Sequence, residues 1–103
     1  MEKQNSGIGK EEQRTIIALI KALIPETKIY LFGSRARGDF SERSDIDLAL
    51  DIGEKIEPRC KISEIKDVLE ATNMIYHFDV LDIHNVNEEL KDRILKEAVE
   101  WKN

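Results

Sequence analysis

The chain has one cysteine, Cys60, and only two prolines in 103 residues. A lone cysteine excludes an internal disulfide and any cysteine-rich zinc site, so Cys60 is read as a small core or helix-start residue. No apolar run approaches the roughly 18 residues that a membrane span needs, and no basic start leads into an apolar signal core. A cytoplasmic location is expected. Concentrated positive charge is also missing: the formal net charge is -5. Phosphate neutralisation requires clustered Lys and Arg, so direct nucleic-acid binding and a DNA-polymerising role are not expected.

What remains is enough for one compact domain, with 41% hydrophobic residues to form a core of moderate size. Residues 1–9 are polar with two glycines and read as a flexible lead, and 10–103 as a single domain. Ile16, Ile17, Leu19, Ile20, Leu23 and Ile24 recur at helical spacing until Pro25 ends the pattern. A strand follows at 28–32, then a short helix opening at Gly33 and closed by Gly38. After a polar loop, Ile46, Leu48, Leu50 and Ile52 alternate as a second strand. Ile62, Ile65, Val68 and Leu69 mark another helix, and 74–83 reads as a third strand. The last helix starts near Asn87 and is expected to turn Leu90, Ile94, Leu95, Ala98 and Trp101 toward the core. Strands alternating with helices predict an α/β domain whose small sheet is covered mainly on one face.

The chemistry gathers between Leu31 and Leu50, LFGSRARGDFSERSDIDLAL. Gly33 and Ser34 directly after an apolar strand make a tight turn whose amides can meet an anion. Asp45 and Asp47 are two apart at the start of the second strand, so their carboxylates share one face while the aliphatics take the other. Side-by-side carboxylates repel, and a cation or water relieves that repulsion. Arg35, Arg37 and Arg43 crowd the same segment, and forked guanidinium donors suit phosphate oxygens. Asp79 sits amid apolar neighbours in the third strand, whereas the parity of Asp82 places it with Phe78 and Val80 on the opposite face. Asp82 is read as a charge at the strand's exit and Asp51 as surface, too far along the strand to join Asp45 and Asp47. His77 is expected to be a hydrogen-bonded structural histidine, His84 solvated, and Tyr30 and Tyr76 packed on strands.

Gly33-Ser34, ten intervening residues and then Asp45-Ile46-Asp47, set between apolar strands, resembles the GSx10DxD signature of the DNA polymerase beta-like nucleotidyltransferase superfamily. The resemblance covers nearly the whole chain and is closest to the minimal nucleotidyltransferases of HEPN/MNT toxin-antitoxin pairs. It implies a mixed sheet of three main strands, with room for a short extra one. It implies Asp45, Asp47 and Asp79 as catalytic and metal-holding acids, two Mg2+ ions, and ATP as substrate. Gly33 and Ser34 would grip the β and γ phosphates, with Arg35 beside them. It further implies a helical HEPN-type partner, which family members neutralise by adenylylating a tyrosine.

Three functions follow. The first is transfer of AMP to a hydroxyl on a HEPN-type partner, as an antitoxin. The second is nucleotide transfer to a small molecule, resembling antibiotic-modifying relatives, with a homo-oligomer building the missing acceptor pocket. The third is a non-catalytic module, gated by nucleotide, that silences its partner by binding.

Overall fold

The computed structural model describes residues 6–102. Helix α1, Lys10–Leu23, buries Ile16, Ile17 and Ile20, with Glu11 and Glu12 in its first turn and Lys21 in its last. That charge order matches the helix dipole. Strand β1 is Lys28–Phe32 and is followed by the single-turn helix α2, Ser34–Arg37, which Gly38 ends in the left-handed region at φ 92°. Strand β2 is Ile46–Asp51, helix α3 is Cys60–Glu70, and strand β3 is Phe78–Asp82. One 3-10 turn at Ile83–Asn85 leads to helix α4, Glu88–Glu97, and strand β4, Val99–Trp101.

The sheet has four strands in the order β3-β2-β1-β4. β1 is antiparallel to both β2 and β4, and β2 is parallel to β3. The end where β1 stops is therefore the end where β2, β3 and β4 begin.

Alternation along the strands divides the core in two. Ile29 and Leu31, Ile46, Leu48 and Leu50, and Phe78 and Val80 join Ile16, Ile17, Ile20, Ile65 and Leu69 in the main cluster. On the other face a smaller cluster of Ala49, Ile83 and Ile94 gathers Tyr30, Phe32, Leu81, Leu90 and Ala98 under α4. Asp47 and Asp79 have the parity of this second face.

Four expectations from the sequence are corrected here. The third strand begins at Phe78, not Met74, because its partner β2 begins at Ile46, opposite Phe78. Before Phe78 only the His77 carbonyl joins the sheet, accepting the Ile46 N–H at 2.9 Å, and 74–76 run past the loop before β2; Ile75 there is 84% exposed. The last helix stops at Glu97, and Trp101 is buried from β4 instead, where it pairs with Ile29. Leu95 points out, 43% exposed, since α4 buries only a narrow stripe around Ile94. Finally, Asp82 is buried: its carboxylate accepts the N–H of Ile56 at 2.8 Å and of His84 at 3.0 Å. It ties β3 to the linker before α3.

Of the lead read over 1–9, residues 1–5 lie outside the described residues. Residues 6–9 are packed against the domain, with Ile8 on the main core. No helix among the described residues is long and apolar enough to cross a membrane.

Candidate active site

Phe32, the last residue of β1, pairs with Asp47, so the chain turns at Gly33 directly beside that carboxylate. Gly33 has φ 78°, and a Cβ built there would run into Asp47, with Oδ2 nearest and Cγ at 3.1 Å. Only glycine allows the backbone to approach this closely in this conformation. Asp47 is in turn opposite Asp79 in the parallel β2–β3 ladder, and Asp45 immediately precedes β2. The structure thus brings Gly33, Ser34, Asp45, Asp47 and Asp79 to one end of the sheet.

The cluster is electrostatically loaded. Burial pushes the Asp47 carboxyl up to about 6, the negative charges of Asp79 and Asp45 push the same way, Arg37 opposes them, and Glu97 adds a smaller push upward. Asp79 is exposed on the outer strand. It borders a groove of about 570 Å³ along that edge, lined also by Arg59, just before α3, and by Ser63 and Lys66 of α3. The groove reaches Asp79 but not Asp47 or Gly33.

Among the described residues no three Asp, Glu, His or Cys side chains stand close enough to hold a metal ion as placed. The donor set nevertheless suits a hard cation. It is all carboxylate oxygen, and Mg2+ characteristically takes one or two carboxylates plus substrate phosphates rather than an all-protein cage. The residues fit an ion shared with a triphosphate, and the raised Asp47 marks where positive charge would be most stabilising.

Arg35 is placed elsewhere than expected. The residue is 2% exposed, its guanidinium donating to Ser44 O from Nε and Nη2 at 3.2 and 3.0 Å and to Ser6 O from Nη1 at 2.8 Å. It lies 4.9 Å from the Phe40 ring centre and 5.1 Å from that of Tyr76. Three of its five N–H groups are taken by backbone carbonyls and the residue is buried, so in this structure Arg35 braces the loop before Asp45 and does not present its donors at the Gly33 turn. It holds the carbonyl just before Asp45. Tyr76 completes the clasp, its hydroxyl 2.9 Å from Glu12 Oε1 and 3.2 Å from Gly7 O.

Gly33 also differs from the phosphate-gripping picture, because its N–H is already engaged by Glu97 Oε2 at 2.8 Å. Arg37 reaches the same carboxylate at 3.3 Å and Asp39 at 3.2 Å. Nothing local in the sequence announces Glu97; its place comes from α4 ending beside the Gly33 turn just before β4 pairs with β1. His84, expected in solvent, pairs with Asp51 at 2.7 Å; burial pushes the Asp51 carboxyl up, but hydrogen bonds from Gly53 and His84 and the charges of His84 and Lys28 together outweigh it and hold Asp51 below its usual range. His77 contacts Glu70 at 3.2 Å, as a hydrogen-bonded structural histidine would, and Cys60 is exposed at the start of α3.

The family model described as polymerase beta, nucleotidyltransferase matches residues 15–100. The chain belongs to that family. A protein of Methanocaldococcus jannaschii whose name proposes protein adenylyltransferase activity is 32% identical, over 90% of this chain and 96% of its own. A solved toxin–antitoxin structure with AMP-PNP superimposes with a TM-score of 0.73 at 26% identity, covering 88% of this chain and 73% of that one. A complex from Shewanella oneidensis, of a tri-AMPylated HEPN toxin with an MNT antitoxin, has the same fold: TM-score 0.66 at 24% identity, covering 88% and 70%. As a nucleotidyltransferase of this family, the chain has its glycine turn and its acids within the matched region.

Proposed function

We propose that this nucleotidyltransferase transfers AMP from ATP to a hydroxyl on a HEPN-type partner protein, and so acts as an antitoxin. The observation that carries the reading is the Gly33 turn packed against Asp47, with Asp79 in register beside it. A phosphate-bearing group and an acceptor could meet there. The name of the archaeal relative, and the solved complexes with a nucleotide analogue and with an AMPylated toxin, favour a protein acceptor.

In this reaction the acceptor oxygen bonds to the α-phosphorus while the bond to the bridging oxygen breaks and pyrophosphate leaves. Ser34 would hold the leaving phosphates through its hydroxyl and amide. Arg37, exposed on the same face, would add positive charge. Asp79 faces the open edge of the sheet and would accept the proton of the incoming hydroxyl. Asp45, Asp47 and Asp79 would hold Mg2+, which when bound neutralises charge on the triphosphate and on the two reacting oxygens. Gly33 would serve by its lack of a side chain, allowing triphosphate and Asp47 to share one small space.

The test is transfer of label from α-labelled ATP with Mg2+ to the product of the neighbouring gene. Label on the partner with the wild type and none with Asp45→Asn/Asp47→Asn is the expected result. Full neutralisation of the partner by that double variant, without label, would instead favour silencing by binding.

A further inference from the structure

We propose that Glu97, from the last turn of α4, is a positioning residue for the nucleotide: its carboxylate sets the Gly33 turn through the Gly33 N–H. The inference rests on the nucleotide-transfer reading above and extends it to the C-terminal part of the chain. β4 pairs antiparallel with β1 with Leu31 opposite Val99. Continuing that register by two residues puts Glu97 opposite Gly33. The ladder itself stops at Leu31–Val99, because Ala98 caps α4 and Glu97 is its last helical residue, while Gly33 turns away at φ 78°. The Glu97 side chain takes over, accepting the N–H that a strand carbonyl would have taken, at 2.8 Å.

Two features separate this from a routine cap. First, the Asp47 carboxylate fills the space where a Gly33 side chain would stand, so the position of the turn and that of the central acid of the cluster are set together. Second, the acceptor stands at the same sheet end as Asp45, Asp47 and Asp79, close enough for its charge to act on Asp47, so the turn is held beside the acids themselves. The repulsion is limited by Arg37, whose Nη1 lies 3.3 Å from Glu97 Oε1 and 3.4 Å from Oε2. One carboxylate thereby holds both the turn that meets the phosphates and a cation beside it. Its side chain is 23% exposed, against 47% for Arg37, so the turn-facing end of the pair is the sheltered one.

The experiment compares binding of AMP-PNP with Mg2+ to wild type, Glu97→Asp and Glu97→Gln by calorimetry, with melting temperatures and Gly33 amide exchange alongside. Asp keeps the charge but falls short by a methylene; Gln keeps the reach and the accepting oxygen but loses the charge. The expected result is about tenfold weaker binding and faster Gly33 exchange for Glu97→Asp, the size typical of residues that orient a ligand-holding group. Glu97→Gln stays within about threefold of wild type. Equal binding by wild type and Glu97→Asp overturns the proposal, as does weakening by Glu97→Gln alone, which would make charge the operative property. Tighter binding by both variants also overturns it and makes Glu97 a competitor of phosphate. A wild type that does not bind AMP-PNP at all sinks the nucleotide-transfer reading itself, a result distinct from these.

Discussion

Asp47 carries the sharpest consequence at the scale of single residues. Its folded pKa, about 6, lies above the ordinary carboxylate value of 3.8. A raised carboxyl contributes stability that is fully present below the unfolded pKa and is lost as pH rises through the folded one. Between pH 4 and 6 the wild type should therefore lose stability as pH increases. Asp47→Asn should be more stable than wild type by about 1–2 kcal/mol at pH 7, after discounting for partial solvent screening, with the gap closing near pH 4. Melting curves of both proteins across that range check the sign, and a fixed gap at every pH would contradict it. The same variant should lose transfer activity by at least about a hundredfold, the mark of a residue held for chemistry at a cost in stability. Gly33→Ala should lose both: the left-handed φ and the collision with Asp47 leave a Cβ no place.

Among the elements, the N-terminal clasp and strand β4 matter most to the site. Arg35→Met keeps much of the volume but leaves the Ser44 and Ser6 carbonyls without their guanidinium partner. The expected loss is about 2–3 kcal/mol, with faster tryptic cleavage after Lys10 as 6–9 loosens. Unchanged cleavage would mean that the clasp does not hold the lead. Trp101→Ala empties a site that is 5% exposed at the end of β4, at about 3 kcal/mol or more, a fall of roughly 15 °C in melting temperature for a domain of this size. Because α4 ends at Glu97 just before β4 pairs with β1, that substitution should also raise Gly33 amide exchange, which NMR would read directly. The short α2 is legible in sequence for a local reason, Gly at both ends. β4 is not, because a three-residue strand has too little pattern to distinguish it from the end of a helix whose spacing it continues.

Over the whole molecule, the acids stand at one end of the sheet without closing a metal site of their own among the described residues. Magnesium affinity should therefore be linked to nucleotide. Calorimetry is expected to find millimolar or weaker Mg2+ binding to the protein alone and at least about tenfold tighter binding with AMP-PNP present. Tight binding of magnesium without nucleotide would contradict that linkage. The sequence by itself determined the α/β order, the apolar face of α1, the β1 span, the glycine turn, and the placing of Asp47 on the strand face opposite Ile46, Leu48 and Leu50. All of these depend on neighbours a few residues apart, where helix and strand periods and glycine stereochemistry act directly. Tertiary structure alone decided that Asp79 stands opposite Asp47, that Arg35 is buried against the Ser6 carbonyl, and that Glu97 meets Gly33. Those contacts join residues 32, 29 and 64 positions apart, and their register is set only when strands pair and the two faces of the sheet select which side chains to bury.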